Sequence, residues 1–199
     1  MYSLRHFKLG FILLLLLQQG CTANYAASEY SKVKQVLRLE DSHLIVRKNQ
    51  WRLSTDTPVF IAYSAVEQPN YRNKPELRRS KYQLQTAMED AFVRRYAKVQ
   101  ASPMPLTYAK ALESARASGS RVLIYPQLLE YPKFEDGRPP LAKTHTAEFR
   151  VLLVDTLTDK VLDVATISAR SELALGKEIE VSDLFTEASR LYVKQLTGA

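Results

Sequence analysis

Two β-rich runs, residues 145–155 and 160–171, are joined by only Thr156, Leu157, Thr158 and Asp159, and no other feature constrains the fold as strongly. So short a connection between runs of that length calls for an antiparallel hairpin. What precedes the hairpin alternates in type. Pro58-Val59-Phe60-Ile61-Ala62-Tyr63 is a short apolar run suited to a buried strand. From Ser80 the spacing turns helical, with Leu84, Met88, Ala91, Phe92 and Tyr96 on one face. Strands joined through helices return parallel, whereas the hairpin adds antiparallel pairs. The expected fold is therefore α/β: a single domain with a mixed parallel/antiparallel sheet and about three packed helices. A length of 199 residues leaves room for one such core.

Punctuation residues set the expected boundaries. Pro69, Asn70, Asn73 and Pro75 mark residues 67–79 as a loop, after which Ser80 is placed to cap the first helix. Pro103 and Pro105 cannot continue that helix, so it should fail near Val99, with one short strand over 99–104. A second helix fits 106–118 with Gly119 as its stop. Residues 121–131 read as a strand in which Pro126 demands a bulge or an edge, and 132–140 as a surface loop. Ser182 opens a last helix carrying Leu184, Phe185, Ala188, Leu191 and Tyr192, which ends at Gly198. Residues 33–46 hold scattered aliphatics and fit one or two short strands.

The amino terminus reads as an address. Arg5, His6 and Lys8 precede an apolar run over 9–17, too short for the roughly 20 residues a membrane crossing needs. Gln18, Gln19 and Gly20 close the run, and the chain's one cysteine, Cys21, follows. This placement resembles a bacterial lipobox, although Gln18 and Gln19 stand where that pattern has an aliphatic and a small residue. The resemblance implies a lipoprotein signal peptide over 1–20, a lipid anchor on Cys21, a tether over 21–32 and one periplasmic domain over 33–199. Thr22 stands where inner-membrane retention would call for Asp, which favours the outer membrane. An ordinary signal, cut near Thr22-Ala23 or within 25–27, is the other reading.

The mature chain has little material for catalysis. A single cysteine excludes an internal disulfide framework, and only His43 and His145 survive signal removal, without metal-ligand spacing. Six glycines without clustering give no phosphate cradle, and no Gly-x-Ser-x-Gly turn occurs. No cofactor, no metal and no enzyme activity are expected. Glu130, Glu135 and Asp136 flank one loop and supply the alternative, a hydrolase acting on peptidoglycan. With Arg5 and Lys8 removed, 26 basic residues face 21 acidic ones. The excess concentrates in Arg72, Lys74, Arg78, Arg79 and Lys81, a candidate contact for an anion or a partner protein. Nucleic acid is not an expected partner of an exported protein. The eleven tyrosines fit core edges, burying the ring and keeping the hydroxyl wet.

Several segments together resemble a family of small Gram-negative lipoproteins known only as a domain of unknown function. They are Ser80 with Leu84, Ala87, Ala91 and Phe92; residues 111–119; Val122-Leu123-Ile124-Tyr125-Pro126; 151–164 around Thr158-Asp159-Lys160; and the closing Leu184-Phe185 to Tyr192-Val193 helix. The element order is also similar to the TolB amino-terminal domain and to the curli-secretion and penicillin-binding-protein-activator lipoproteins. Such relatives imply a membrane-attached protein with an envelope protein partner, working as an accessory or structural subunit. A subunit of a secretion pore is the further alternative. The oligomeric state is left open.

Overall fold

The computed structural model describes residues 42–65, 75–134, 144–172 and 181–198. In chain order these form β1 (Ser42–Arg47), β2 (Val59–Ser64), α1 (Pro75–Val93), β3 (Val99–Leu106) and α2 (Tyr108–Ala117). They continue as β4 (Val122–Phe134), β5 (Thr144–Asp155), β6 (Val161–Glu172) and α3 (Val181–Thr197). The six strands make one sheet in the order β1-β6-β5-β4-β2-β3. β2 runs parallel to both β3 and β4, and the remaining pairs are antiparallel. Among the described residues the chain forms the expected mixed sheet with three helices.

Strand composition follows what covers each face. Val59 and Ile61 of β2, with Val122 and Ile124 of β4, meet Leu84, Met88 and Phe92 of α1 and Phe185, Ala188 and Tyr192 of α3. The alternate residues Phe60, Ala62, Leu123 and Tyr125 meet Ala111, Leu112 and Ala115 of α2 on the opposite face. A strand covered on both sides reads as an unbroken apolar run, which is why 58–63 stood out. β6 differs. Asp163, Ala165, Ile167 and Ala169 are buried, whereas Leu162, Val164, Thr166, Ser168 and Arg170 are only partly covered.

The hairpin forms as expected, and its turn is built by Asp155. That carboxylate accepts the N–H groups of Leu157 (2.9 Å) and Thr158 (3.3 Å), while Asp159 takes the left-handed conformation at φ 60. Burial would raise the Asp155 carboxyl, but these bonds and the Arg121 guanidinium at 2.9 Å outweigh it and hold it below its usual range. Gly119 and Gly198, both at φ 70, end α2 and α3 as their sequence positions suggest.

Five boundaries move. α1 begins at Pro75, so Ser80 is a buried residue inside the helix and not its cap. Proline suits a first helical turn, where its missing N–H has no partner to lose. The helix stops at Val93, yet Tyr96 still packs its ring 5.0 Å from that of Phe92. β3 extends to Leu106 through Pro103 and Pro105, which the edge of a sheet tolerates, so α2 starts only at Tyr108. β4 runs on through Pro132 to Phe134. Pairing between β2 and β4 is confined to 59–61 and 122–124, so Pro126 lies where β4 has β5 alone beside it. Residues 33–41 and 135–143 lie outside the described residues.

Candidate interaction surfaces

Three regions of the fold carry exposed or polar groups beyond packing needs. The first holds what is described of the predicted basic cluster. Arg72 and Lys74 lie outside the described residues. Arg78 and Arg79 are exposed on the first turns of α1 and not on a loop. The Arg78 carbonyl accepts the Tyr63 hydroxyl at 3.0 Å, and Lys81 Nζ donates to the Ala65 carbonyl at 2.8 Å. Tyr63 meets Tyr82 edge to face at 6.0 Å, and burial raises the Tyr63 hydroxyl above its ordinary pKa despite the opposing charge of Arg78. These contacts tie the carboxyl end of a parallel strand to the helix that follows it. In α/β sheets that end is where ligands gather.

The second region was not legible beforehand. α2 covers the outer face over β2 and β4, but among the described residues nothing covers that face over β1 and β6. Leu44 and Val46 stand 63% and 58% exposed there, and Arg150 of β5 is exposed on the same face. A concavity of about 310 Å³ opens at this end of the sheet, lined in part by His43, Leu44, Glu148, Ser168 and Arg170. The register sets His43 against Ala169 and His145 against Ser171, two rows apart and on either side of β6.

The third is a buried polar clamp. Arg47 on β1 and Asp163 on β6 have side chains only 6% and 0% exposed and pair at 2.6 Å. Arg47 Nε donates to Asp163 at 2.7 Å, its Nη1 reaches the Gln195 carbonyl of α3 at 3.2 Å, and a further N–H meets the Trp51 carbonyl. Asn49 N–H donates to the other Asp163 oxygen at 2.9 Å. The guanidinium also lies 5.9 Å from the Tyr192 ring centre. Burial pushes the Tyr192 hydroxyl well above its ordinary range and Tyr96 up to about 12. The Tyr192 and Ser189 hydroxyls are buried without a hydrogen-bond partner among the described residues.

The carboxylates proposed for hydrolysis are not assembled within the described residues. Glu130 belongs to β4 by its backbone, while Glu135 and Asp136 lie outside. Among the described residues, His, Cys, Asp and Glu nowhere gather in threes as metal ligands would, and no helix is long and apolar enough to cross a membrane. Cys21 lies outside the described residues.

Residues 51–196 match the family described as Domain of unknown function (DUF4823). The chain belongs to that family. The match spans β2 through α3 and leaves β1 outside it. No curated protein matches by sequence. Among solved structures, the fold is similar to the PelC dodecamer from Paraburkholderia phytofirmans, with a TM-score of 0.57 and 16% identity over 78% of this chain and 98% of that one. Protein XCC0632 from Xanthomonas campestris, of family DUF330, matches with a TM-score of 0.46 and 12% identity over 74% and 85%. Lipoprotein GNA1162 from Neisseria meningitidis matches with a TM-score of 0.42 and 12% identity over 72% and 99%.

Proposed function

We propose that this chain is a periplasmic lipoprotein, held at the outer membrane by lipid on Cys21, that acts by binding as an accessory or structural subunit of the cell envelope. The observation that carries the reading is the sheet face over β1 and β6, which no described element covers and on which Leu44 and Val46 are exposed. Exposed apolar residues on an open β surface suit a protein partner better than a small substrate, which would need an enclosed pocket. The basic head, the short apolar run and Cys21 support the address. Arg78 and Arg79 supply a second contact, for an anionic partner.

A self-assembling subunit, including one that contributes to a secretion pore, is the second reading. It is favoured by one observation, that the PelC structure with this fold is a dodecamer. In-cell crosslinking with affinity capture, comparing wild type with Cys21→Ser, tests the main reading. A defined envelope complex captured by wild type and lost in the variant supports anchored binding. Equal capture by both removes the anchor from the account. Turnover of peptidoglycan fragments that is abolished by Glu130→Gln or Glu135→Gln would replace the binding role with hydrolysis.

A further inference from the structure

The two edges of the sheet are finished differently. β3 carries Pro103 and Pro105, which remove backbone donors, and its pairing with β2 is broken by an irregularity between Ile61 and Tyr63. Such devices stop a further strand from adding to an edge. β1, Ser-His-Leu-Ile-Val-Arg, has no proline and pairs with β6 in unbroken register from Ser42 to Arg47. Lys48 N–H donates to the Val164 carbonyl at 2.9 Å just beyond that run. Antiparallel alternation then directs the even-numbered residues toward β6. The N–H and C=O groups of His43, Ile45 and Arg47 therefore point away from the sheet, and no described strand meets them.

We infer that β1 pairs with β1 of a second copy of this chain, antiparallel about a two-fold axis at Ile45. In that register Ile45 opposes Ile45 and His43 opposes Arg47, so the outward backbone groups bond to one another. Leu44 opposes Val46 twice, in the closer non-hydrogen-bonded pairs, and the exposed apolar side chains of the two copies cover each other. The exposed face of β1 offers only Ser42, Leu44 and Val46, so two copies of a chain that keeps a basic excess after loss of Arg5 and Lys8 meet there without opposing like charges. Chain length favours the same occupant. The 20 residues between Cys21 and Ser42 span at most about 70 Å when extended. Two tethers leaving opposite ends of the paired strands can still reach one membrane, and shared attachment raises the effective concentration enough for a small contact to persist. The inference rests on the anchored reading for this last step only.

The test uses the full chain in its own membranes. Leu44→Cys and Val46→Cys copies are tagged differently, co-expressed and oxidised with copper phenanthroline, then read on non-reducing gels. Both side chains are exposed, so neither substitution disturbs the core. The inferred register brings these cysteines within the range a disulfide accepts. The mixed pair should crosslink severalfold more than either variant alone or than Leu157→Cys, which is exposed on the distant turn. Adding Lys at the remaining apolar position of each copy should abolish the product. Crosslinking of the mixed pair at the level of Leu157→Cys would overturn the inference, as would Leu44→Cys alone crosslinking equally well. Maleimide labelling of Cys21 in the wild-type chain reports the anchor separately. A reactive Cys21 thus counts against lipid attachment without touching the edge result.

Discussion

The two ends of the sheet solve the same problem by different chemistry. At the β4-β2-β3 end the pairings are parallel, helices lie on both faces, and stability comes from apolar side chains such as Ile61, Leu123, Ile124 and Phe92. At the β1-β6-β5 end the strands are antiparallel, no described helix covers one face, and β1 is held by its six-residue ladder and by Arg47 with Asp163. A strand with one buried face cannot gain as much from apolar burial, so a polar clamp supplies the fixing. The difference leaves Leu44 and Val46 open, because no described helix covers the face of β1 on which they stand.

Asp163→Ala should break the comparison most sharply, leaving Arg47 buried without its carboxylate at a cost of about 3–5 kcal/mol. Urea denaturation checks the loss, and amide exchange should show β1 opening before the rest. Leu123→Ala, at the other end, should cost about 2–4 kcal/mol through a cavity, with β1 protection unchanged. Alkali probes the clamp region from another direction. Tyr96 and Tyr192 have folded-state pKa values raised above the unfolded value of 10.0, so their contribution is complete below pH 10 and is lost as pH rises through the folded values. Stability should therefore fall by about 1.4 kcal/mol per pH unit for each tyrosine above pH 10, and Tyr96→Phe should flatten the slope measured in urea melts. Tyr192→Phe removes a buried hydroxyl without a partner and should be neutral or stabilising by up to about 1 kcal/mol. The smallest effect belongs to Leu44→Lys with Val46→Lys, expected to stay within about 0.5 kcal/mol in thermal melts because both sites are exposed.

How legible each part was follows from the range of the interaction. The hairpin, the helix stops at Gly119 and Gly198 and the doubly covered β2 are written in neighbouring residues, and all could be read. The start of α1 was obscured because Pro75 and the polar stretch after it look like a loop until Ser80 and Leu84 are seen buried. Pro103 and Pro105 suggested a short strand, since sequence does not say that β3 lies at an edge. β1 hides its role because Ser42, Leu44 and Val46 alternate with His43, Ile45 and Arg47, mixing apolar and polar residues on both faces. The clamp was out of reach: Arg47 and Asp163 are 116 residues apart, and neither is unusual locally. Arg78 and Arg79 were recognisable as basic, but not as helical.

The placement of β1 also has a mechanical side. It is the first described strand in the sequence, and a pull directed along it from Ser42 would load all six β1–β6 pairs in shear at once instead of peeling them one by one. Arg47, at the far end, would be the last residue to yield. A force applied at Ser42 would thereby be handed to β6 and α3, the elements the clamp joins.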